Sequence, residues 1–400
     1  MSAVVAVTSA APPPAGRVDR RGIGVLAAGH ACADLCQGAV PALLPFLIVE
    51  RGLSLTAAAA LITASTIGSS IVQPLFGLWS DRLSAPVLLP AGVALASIGI
   101  GVVGLCQSYP ALTCVLLVTG VGVAAFHPEG ARYANHVSRE GRGRGMSYFA
   151  VGGNVGFALG PALVTPVVAV LGLSATPLLA IPGLLVTGLL LAELRRLRTF
   201  ATTGPAPGPR AGQAQEAGDK WWPFSRLAAA AVARTTAFFA LQAFVPVYLL
   251  RHFGTTSATA GAALTTMLVA GAAGTLLGGW CADRYGARRV LVGAMLALIP
   301  LLMLLPHVGL TAFLAILVGV GVAVDAPFST TIVLGQRYLP GRIGLSSGIT
   351  YGLAIGVGGL SATALGALAD ATSITVVLAL LPLFALAALV LTASLPRTGR

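Results

Sequence analysis

Charged residues are scarce in this 400-residue chain: only 9% are Asp, Glu, Lys or Arg, whereas 56% are hydrophobic. Soluble domains carry about 25% charged and about 45–50% apolar residues. So few charges cannot cover a water-facing surface, which excludes a soluble enzyme. Disorder is excluded too, because disordered chains are poor in apolar residues. The mean hydropathy of +0.90 indicates a chain surrounded mostly by lipid.

Motifs of soluble catalysis and metal binding are missing as well. The five cysteines show no C-x-x-C spacing, so neither a zinc site nor a disulfide framework is predicted. The phosphate-binding pattern G-x-x-x-x-G-K-[ST] is absent. The net charge of +12 is carried by cations between apolar runs, which argues against a nucleic-acid partner. We therefore expect no enzyme activity, no cofactor and no bound metal; a membrane enzyme or sensor is a distant alternative.

Long apolar runs dominate the chain. A bilayer core of about 30 Å requires about 20 apolar residues per helix. Gly, Pro and charged residues divide the chain into twelve such runs. They are residues 22–49, 56–79, 86–106, 111–134, 145–171, 174–194, 227–250, 257–280, 288–306, 309–334, 343–369 and 373–395. The predicted fold is an all-α membrane protein with twelve transmembrane helices.

The cations predict the orientation of these spans. Twenty of the 24 Lys and Arg residues fall on one side, Arg51 and Arg251 fall on the other, and Arg132 and Arg234 lie inside spans. The positive-inside rule then places both termini in the cytoplasm of a bacterial-type inner membrane. The predicted segments are a disordered tail 1–21, a six-helix bundle 22–194, a linker 195–226, a second bundle 227–395 and a tail 396–400.

The two halves are similar to each other. An offset of about 200 residues aligns GVGVA at 120–124 with GVGVA at 319–323, and GLWSDR at 77–82 with the start of GWCADRYGARR at 279–289. Repeated bundles around a central site are the architecture of secondary transporters, which rock one bundle against the other. Glycines at helical spacing favour close packing of helices, with sliding of helices as the alternative. They are Gly152, Gly156 and Gly160 in the fifth span and Gly352, Gly356 and Gly359 in the eleventh.

GLWSDR and GWCADRYGARR resemble the G-x-x-x-D-R-x-G-x-R-R signature of the major facilitator superfamily. The resemblance implies a monomeric transporter that works by alternating access between two six-helix bundles. It also implies a cytoplasmic gate latch, formed by Gly77, Asp81, Arg82, Gly279, Asp283, Arg284 and Arg288. The first copy departs from the signature, because residues 83–86 replace its glycine and basic residues.

Three further stretches look like the fosmidomycin resistance protein branch of that superfamily: GHACADLCQGAVPALLPFL, GVGVAAFHPEGARYAN and YFAVGGNVGFALGP. This resemblance implies proton-coupled efflux of a small antibiotic such as fosmidomycin. The energy source is then the proton gradient, and the partners are a small-molecule substrate, protons and the lipid bilayer. Drug/proton antiporters of the superfamily often carry an Arg in the fourth span, where this chain has Leu116. Import or export of a small anionic metabolite is the close alternative, since direction is not legible in a sequence.

Ionisable residues inside the apolar runs are the candidate site residues, because a charge at the bilayer centre costs about 2.5–3.5 kcal/mol. They fall in the first, fourth, seventh and tenth spans, which line the central cavity in the superfamily fold. The proton-coupling candidates are His30, Asp34 and Asp325, and the substrate-cavity candidates are Arg234, Gln37, His127, Glu129 and Arg132.

Asp34 lies about 18 Å into the first span at the helical rise, with His30 one turn below it. We expect Asp34, assisted by His30, to carry the coupling proton, or else the two side chains to fix the span against a neighbour. Asp325 is the alternative carrier. Arg234, about 10 Å into the seventh span, binds an anionic group or neutralises Asp34 or Asp325.

The fourth span carries three further polar residues. Glu129 and Arg132 are spaced i,i+3 and predict a local salt bridge. His127 precedes Pro128 and predicts a helix break, which the Asp325 and Pro327 pair mirrors in the second half. No second ligand is expected near His127, so the sequence gives it no metal.

Overall fold

The structure is a computed structural model that describes residues 18–70, 72–73, 85–138, 142–201, 218–340, 345–346 and 348–396. Within these ranges the chain is mostly helical and contains no strand. Eleven of the described helical segments are long and apolar enough to cross a membrane, and the shorter apolar helix Leu55–Ser70 lies in the second predicted span. The prediction of an all-α membrane fold is therefore confirmed.

The helices follow the predicted runs along the chain. They are α1 Arg20–Arg51, α2 Leu55–Ser70, α3 Leu88–Val102, α4 Tyr109–Ser138, α5 Arg142–Leu171, α6 Ile181–Ala201, α7 Trp221–Phe253, α8 Ser257–Tyr285, α9 Ala287–Leu304, α10 Leu310–Asp325, α11 Phe328–Tyr338, α12 Ala354–Ala371 and α13 Ile374–Ala393. A 3-10 segment Leu173–Ala180 precedes α6, and a π-helical segment Gly348–Leu353 precedes α12.

Helix ends lie where the local chemistry favours them. The side chain of Asp19 accepts a hydrogen bond from the Gly22 amide and caps α1, and the Thr256 side chain does the same for the Thr259 amide of α8. Gly52 and Gly254, with φ near 63° and 61°, end α1 and α7 in the left-handed conformation.

Successive spans reverse direction, with α10 and α11 together forming one span. The N-terminus of α1, the linker ends and the C-terminus of α13 therefore share one face, here called the linker side. On that side the Asp19 amide bonds to Val137 of α4. In the second half Lys220 bonds in the same way to Tyr338 of α11. The opposite face is called the far side.

Helices α1 to α6 pack together, as do α7 to α13, and the two groups meet where α2 packs on α12 and α5 packs on α8. The α2–α12 contact tightens toward the far side. A methyl group added to Gly352 or Gly356 would lie 3.8 Å or 3.6 Å from Ser70. On Gly366 it would lie 2.9 Å from the Leu55 backbone oxygen. The halves are therefore pressed together on the far side.

The glycines of α5 pack helix on helix, as preferred in the sequence analysis. A methyl group on Gly152 or Gly156 would collide with the backbone of Ala27 or Ala31, and one on Gly160 with Gly38. The α1–α5 contact in the first half therefore depends on small residues.

Several boundaries differ from the sequence prediction. The predicted linker 195–226 is helical at both described ends, because α6 continues to Ala201 and α7 starts at Trp221. The predicted break at His127 and Pro128 is wrong, since α4 is continuous through Pro128. The break in the second half is confirmed, because α10 ends at Asp325 and α11 begins at Phe328. Most of the predicted tail 1–21 lies outside the described residues.

Candidate functional site

A cavity of about 110 Å³ lies between the two halves. Asp34 is about 21 Å from the start of α1 and Arg234 about 20 Å from the start of α7 at the helical rise. Both therefore lie near mid-depth, and Arg234 is deeper than predicted because α7 starts six residues before the predicted span. The lining residues are Asp34, Gln37, Asn154, Phe157, Arg234, Thr235, Phe238, Phe239, Leu268, Ala272, Thr275, Asp325, Phe328 and Ile355.

Asp34 forms a cluster with two histidines, one from its own helix and one from α4. One carboxylate oxygen lies 3.3 Å from Nε2 of His30, and the other lies 3.1 Å from Nε2 of His127. The two Nε2 atoms are 3.2 Å apart. The predicted pairing of Asp34 with His30 is present. The expectation that no second ligand lies near His127 is wrong, because the rotation of α4 brings this side chain against both Asp34 and His30.

The other ring nitrogen of each histidine contacts a backbone carbonyl. Nδ1 of His30 is 2.8 Å from the Phe149 oxygen, and Nδ1 of His127 is 2.9 Å from the Val123 oxygen. A carbonyl oxygen only accepts hydrogen bonds, so each Nδ1 carries a hydrogen and donates it. In the neutral rings both Nε2 lone pairs then face each other and the carboxylate. Three acceptors at such distances require a proton or another cation between them.

Arg234 and Asp325 form the second charged group of the cavity. Nη1 of Arg234 donates to the Asp325 carboxylate at 3.2 Å and to the Val324 backbone oxygen at 2.9 Å. Arg234 is buried, and its Nε–H has no described partner. The sequence left three partners open for Arg234, and the structure pairs it with Asp325.

Of the remaining substrate-cavity candidates, one lines the cavity and three do not. Gln37 lines the cavity, as predicted. His127 lies behind Asp34 and is not among the lining residues. Glu129 and Arg132 form the predicted i,i+3 ion pair at 3.7 Å, away from the cavity lining. This ion pair joins successive turns of α4.

The predicted gate is only partly described. Gly77, Asp81 and Arg82 lie outside the described residues. In the second copy, the close helix contact is made by Gly278 and not by Gly279, because a methyl group on Gly278 would collide with Ala326. This contact depends on the rotation of α8, which a motif does not specify.

The charged residues of the second gate copy lie near the linker side. Arg288 donates to the Ala393 backbone oxygen, and Arg284 lies over the Trp280 ring at 5.9 Å. Asp283 is exposed and takes part in no ion pair within the described part of the chain.

Several polar and aromatic positions of interest were missed. Asn154 and Thr275 line the cavity, where Phe157 and Phe238 stack with ring centroids 6.3 Å apart. These four residues are uncharged, and most residues of their helices serve packing, so the sequence did not distinguish them. Asp370, at the end of α12, accepts bonds from the amides of Leu55 and Thr56 in the opposite half. The sequence feature that could have indicated Asp370 is its position as an acid directly after a predicted span.

Comparison with known proteins agrees with this architecture. The model of the Major Facilitator Superfamily matches residues 26–226 and 227–399, one match for each half. The chain belongs to the Major Facilitator Superfamily. It is therefore a membrane transporter and not an enzyme, and the predicted family is confirmed.

Two members of the superfamily are similar over most of the chain. An uncharacterized MFS-type transporter, YfnC of Bacillus subtilis (strain 168), is 31% identical over 374 residues, which are 90% of this chain and 90% of that protein. The fosmidomycin resistance protein of Escherichia coli (strain K12) is 30% identical over 364 residues, 89% of this chain and 88% of that protein. These matches support the resemblance to that branch.

Solved structures of more distant transporters share the fold. A bacterial homolog of the human lysosomal transporter Spinster, in an inward-facing and occupied conformation, superposes with a TM-score of 0.71 at 16% identity, covering 93% of this chain and 94% of that chain. The nucleoside transporter NupG has a TM-score of 0.71 at 13% identity, covering 94% of this chain and 99% of that chain.

Proposed function

We propose that this superfamily member is a proton-coupled secondary transporter that carries a small anionic compound by alternating access. The observation that carries the proposal is the buried Arg234–Asp325 pair, which faces a cavity between the two halves. A charge at this depth is expensive and usually marks a transport pathway. On the far side the tight α2–α12 contact presses the two halves together.

Arg234 is the proposed binding group for the anion. A guanidinium presents five N–H donors in a planar fork that suits phosphate, phosphonate and carboxylate groups. In the structure Nη1 is engaged, whereas the buried Nε–H has no described partner. An anion in the cavity would take up this spare donor and part of the charge now neutralised by Asp325.

Asp325 is the proposed carrier of the coupling proton. The carboxylate and the substrate anion compete for one guanidinium, so a proton on Asp325 releases Arg234 for the anion. The titratable and charged groups among the described lining residues are Asp34, Arg234 and Asp325. The first choice made from the sequence was Asp34, and that assignment stays a prediction, which the pH dependence of anion binding in Asp34→Asn tests.

Export of a small antibiotic such as fosmidomycin is the first candidate function, and it is supported by the similarity to the fosmidomycin resistance protein. In this proposal the linker side faces the cytoplasm of a bacterial inner membrane and the protein acts as a monomer. The second candidate is uptake of a small anionic metabolite. It is favoured by the Arg234–Asp325 pair, because a proton on Asp325 and an anion on Arg234 bind at the same time and would cross the membrane in the same direction.

Growth inhibition tests the first candidate. A sensitive, efflux-deficient bacterium expressing the chain is grown at increasing fosmidomycin concentrations, with Arg234→Ala as the variant. Arg251→Ala is the matched control, because Arg251 is an exposed residue at the far end of the same helix. Export predicts raised resistance with the original chain and the control, and none with Arg234→Ala at equal membrane abundance. Unchanged resistance with the original chain would refute fosmidomycin export.

Flux in proteoliposomes separates the two directions. Fosmidomycin movement is measured while one compartment is made acidic. Accumulation on the side to which protons flow indicates transport in the same direction as the proton, as uptake requires. Accumulation on the opposite side indicates exchange, as export requires.

A further inference from the structure

The cluster of His30, Asp34 and His127 has the geometry of a metal site. In a tetrahedral zinc site with metal–ligand bonds of about 2.0–2.1 Å, neighbouring ligand atoms are about 3.3–3.4 Å apart. The two Nε2 atoms are 3.2 Å apart, that of His30 lies 3.3 Å from one oxygen of the Asp34 carboxylate, and that of His127 lies 3.1 Å from the other oxygen. With one ligand atom taken from each residue, all three ligand atoms lie within 4.8 Å of one another. A metal ion therefore needs little rearrangement of these side chains to reach all three.

The histidine rings are held in the form that a metal requires. Each Nδ1–H donates to a backbone oxygen, that of Phe149 for His30 and that of Val123 for His127. Metal-binding histidines nearly always donate their second ring N–H in this way, which fixes the ring orientation and keeps Nε2 free for the ion. The His30 ring is held further by stacking on Phe149, with centroids 4.1 Å apart.

Space beside the cluster is kept by a glycine of α5. A methyl group on Gly153 would lie 2.5 Å from Cε1 of His30 and 2.6 Å from an Asp34 carboxylate oxygen. Both separations are shorter than van der Waals contact. Asp34 also lines the central cavity, so a fourth ligand such as a water molecule can reach an ion from that direction.

We propose that His30, Asp34 and His127 bind one divalent transition-metal ion of the Zn²⁺ type, with the fourth position open to the cavity. Two imidazoles and one carboxylate favour Zn²⁺ or Co²⁺ over Mg²⁺ and Ca²⁺, which prefer oxygen ligands. The ion supplies the positive charge that three converging acceptors require. Because the ligands come from α1 and α4, it also ties these two helices together.

Metal binding by the purified full chain tests the proposal. The protein is prepared in detergent with its affinity tag removed, and Zn²⁺ is titrated in competition with a chromophoric chelator. Co²⁺ is added in a parallel experiment, since four-coordinate Co²⁺ absorbs strongly in the visible. The expected result is one Zn²⁺ per chain and a four-coordinate Co²⁺ spectrum, with no effect of excess Mg²⁺.

Three variants make the test specific. His127→Ala removes a ligand, and at least a 10-fold loss of affinity is expected, since loss of even an outer-shell partner costs about 10–100-fold. Gly153→Ala keeps all three ligands but fills the space beside them, and it is also expected to weaken binding. His307→Ala is the control, because His307 is an exposed histidine of the short 3-10 segment after α9. Size-exclusion chromatography verifies that each variant is folded.

Two results would overturn the proposal: no Zn²⁺ bound by the original chain, or equal binding by the original chain and His127→Ala. The first would mean that the cluster holds only a proton, and the second that the ion binds elsewhere. No transported substrate is present in this experiment. Its outcome is therefore independent of the proposed transport function.

Discussion

The Asp370 carboxylate of α12 accepts a hydrogen bond from the Thr56 hydroxyl of α2 at 2.6 Å, and it also bonds to the amides of Leu55 and Thr56 at 2.9 and 2.8 Å. A residue of one half thus caps a helix of the other. Helix N-termini favour a negative charge because their first amides lack intrahelical partners. The bond stabilises the arrangement in which the far side is closed.

Asp370→Ala is expected to open the far side more often. The bonds are partly exposed, so a loss of about 1 kcal/mol, or roughly fivefold in the population ratio, is expected. Spin labels on Gln107→Cys and His307→Cys, in a background without the native cysteines, report the distance between the halves on that side. A larger long-distance population supports the role, and Glu50→Ala, at another exposed far-side acid, should leave the distribution unchanged.

Arg234 and Asp325 should depend on each other for stability. Removal of one partner of a buried ion pair costs about 3–5 kcal/mol, because the other charge is left buried and unpaired. Arg234→Ala and Asp325→Ala should each lower the melting temperature in detergent. The double variant should melt higher than the sum of the two losses predicts. Strictly additive losses would contradict the pairing seen in the structure.

Anion binding should strengthen as the pH falls. A proton on Asp325 frees Arg234, so the affinity for labelled fosmidomycin should rise as Asp325 becomes protonated and fall again as the pH increases. In Asp325→Asn the guanidinium is free at every pH, so binding should become tighter and independent of pH. Asp34→Asn should keep the pH dependence. If instead Asp34→Asn alone abolishes it, the coupling role belongs to Asp34, as the sequence first indicated.

Gly156→Ala should destabilise the first half. The added methyl group meets the backbone of Ala31, which cannot rotate away, and such overpacking costs about 1–3 kcal/mol. Gly24→Ala is the matched control on α1, because a methyl group there meets nothing within 4 Å. Thermal unfolding in detergent should show a lower midpoint for Gly156→Ala only. Equal midpoints would mean that α1 and α5 separate more easily than their packing suggests.

The fold was largely predictable because lipid imposes one simple rule: each span must be a long apolar helix. The placement of Asp34, Arg234 and Asp325 at one cavity was implied by the resemblance to the superfamily, in whose fold the first, fourth, seventh and tenth spans line the centre. Gln37 was placed there for the same reason. Composition and the apolar runs determine the helices themselves, whereas the central position of these residues rested on the resemblance.

The partners of these residues were not predictable in the same way. Whether His127 reaches Asp34 depends on the rotation of α4 about its own axis, and whether Gly278 or Gly279 makes the close contact depends on that of α8. The effect of a proline on its helix was equally hard to predict, because α4 continues through Pro128 whereas the helix is interrupted between Asp325 and Phe328. Tertiary packing decides these features, and a single sequence records it only indirectly.

The neutral Arg234–Asp325 pair has an electrical consequence. Without substrate its two charges cancel, and with one proton and one monoanion bound the charges cancel again. Moving one elementary charge across 100 mV is worth about 2.3 kcal/mol. In neither of these two states does the pair carry a net charge through the bilayer, so a transmembrane voltage does no work on it during either reorientation. If the monoanion crosses together with the proton, as uptake requires, transport through this pair would run at the same rate in polarised and depolarised membranes.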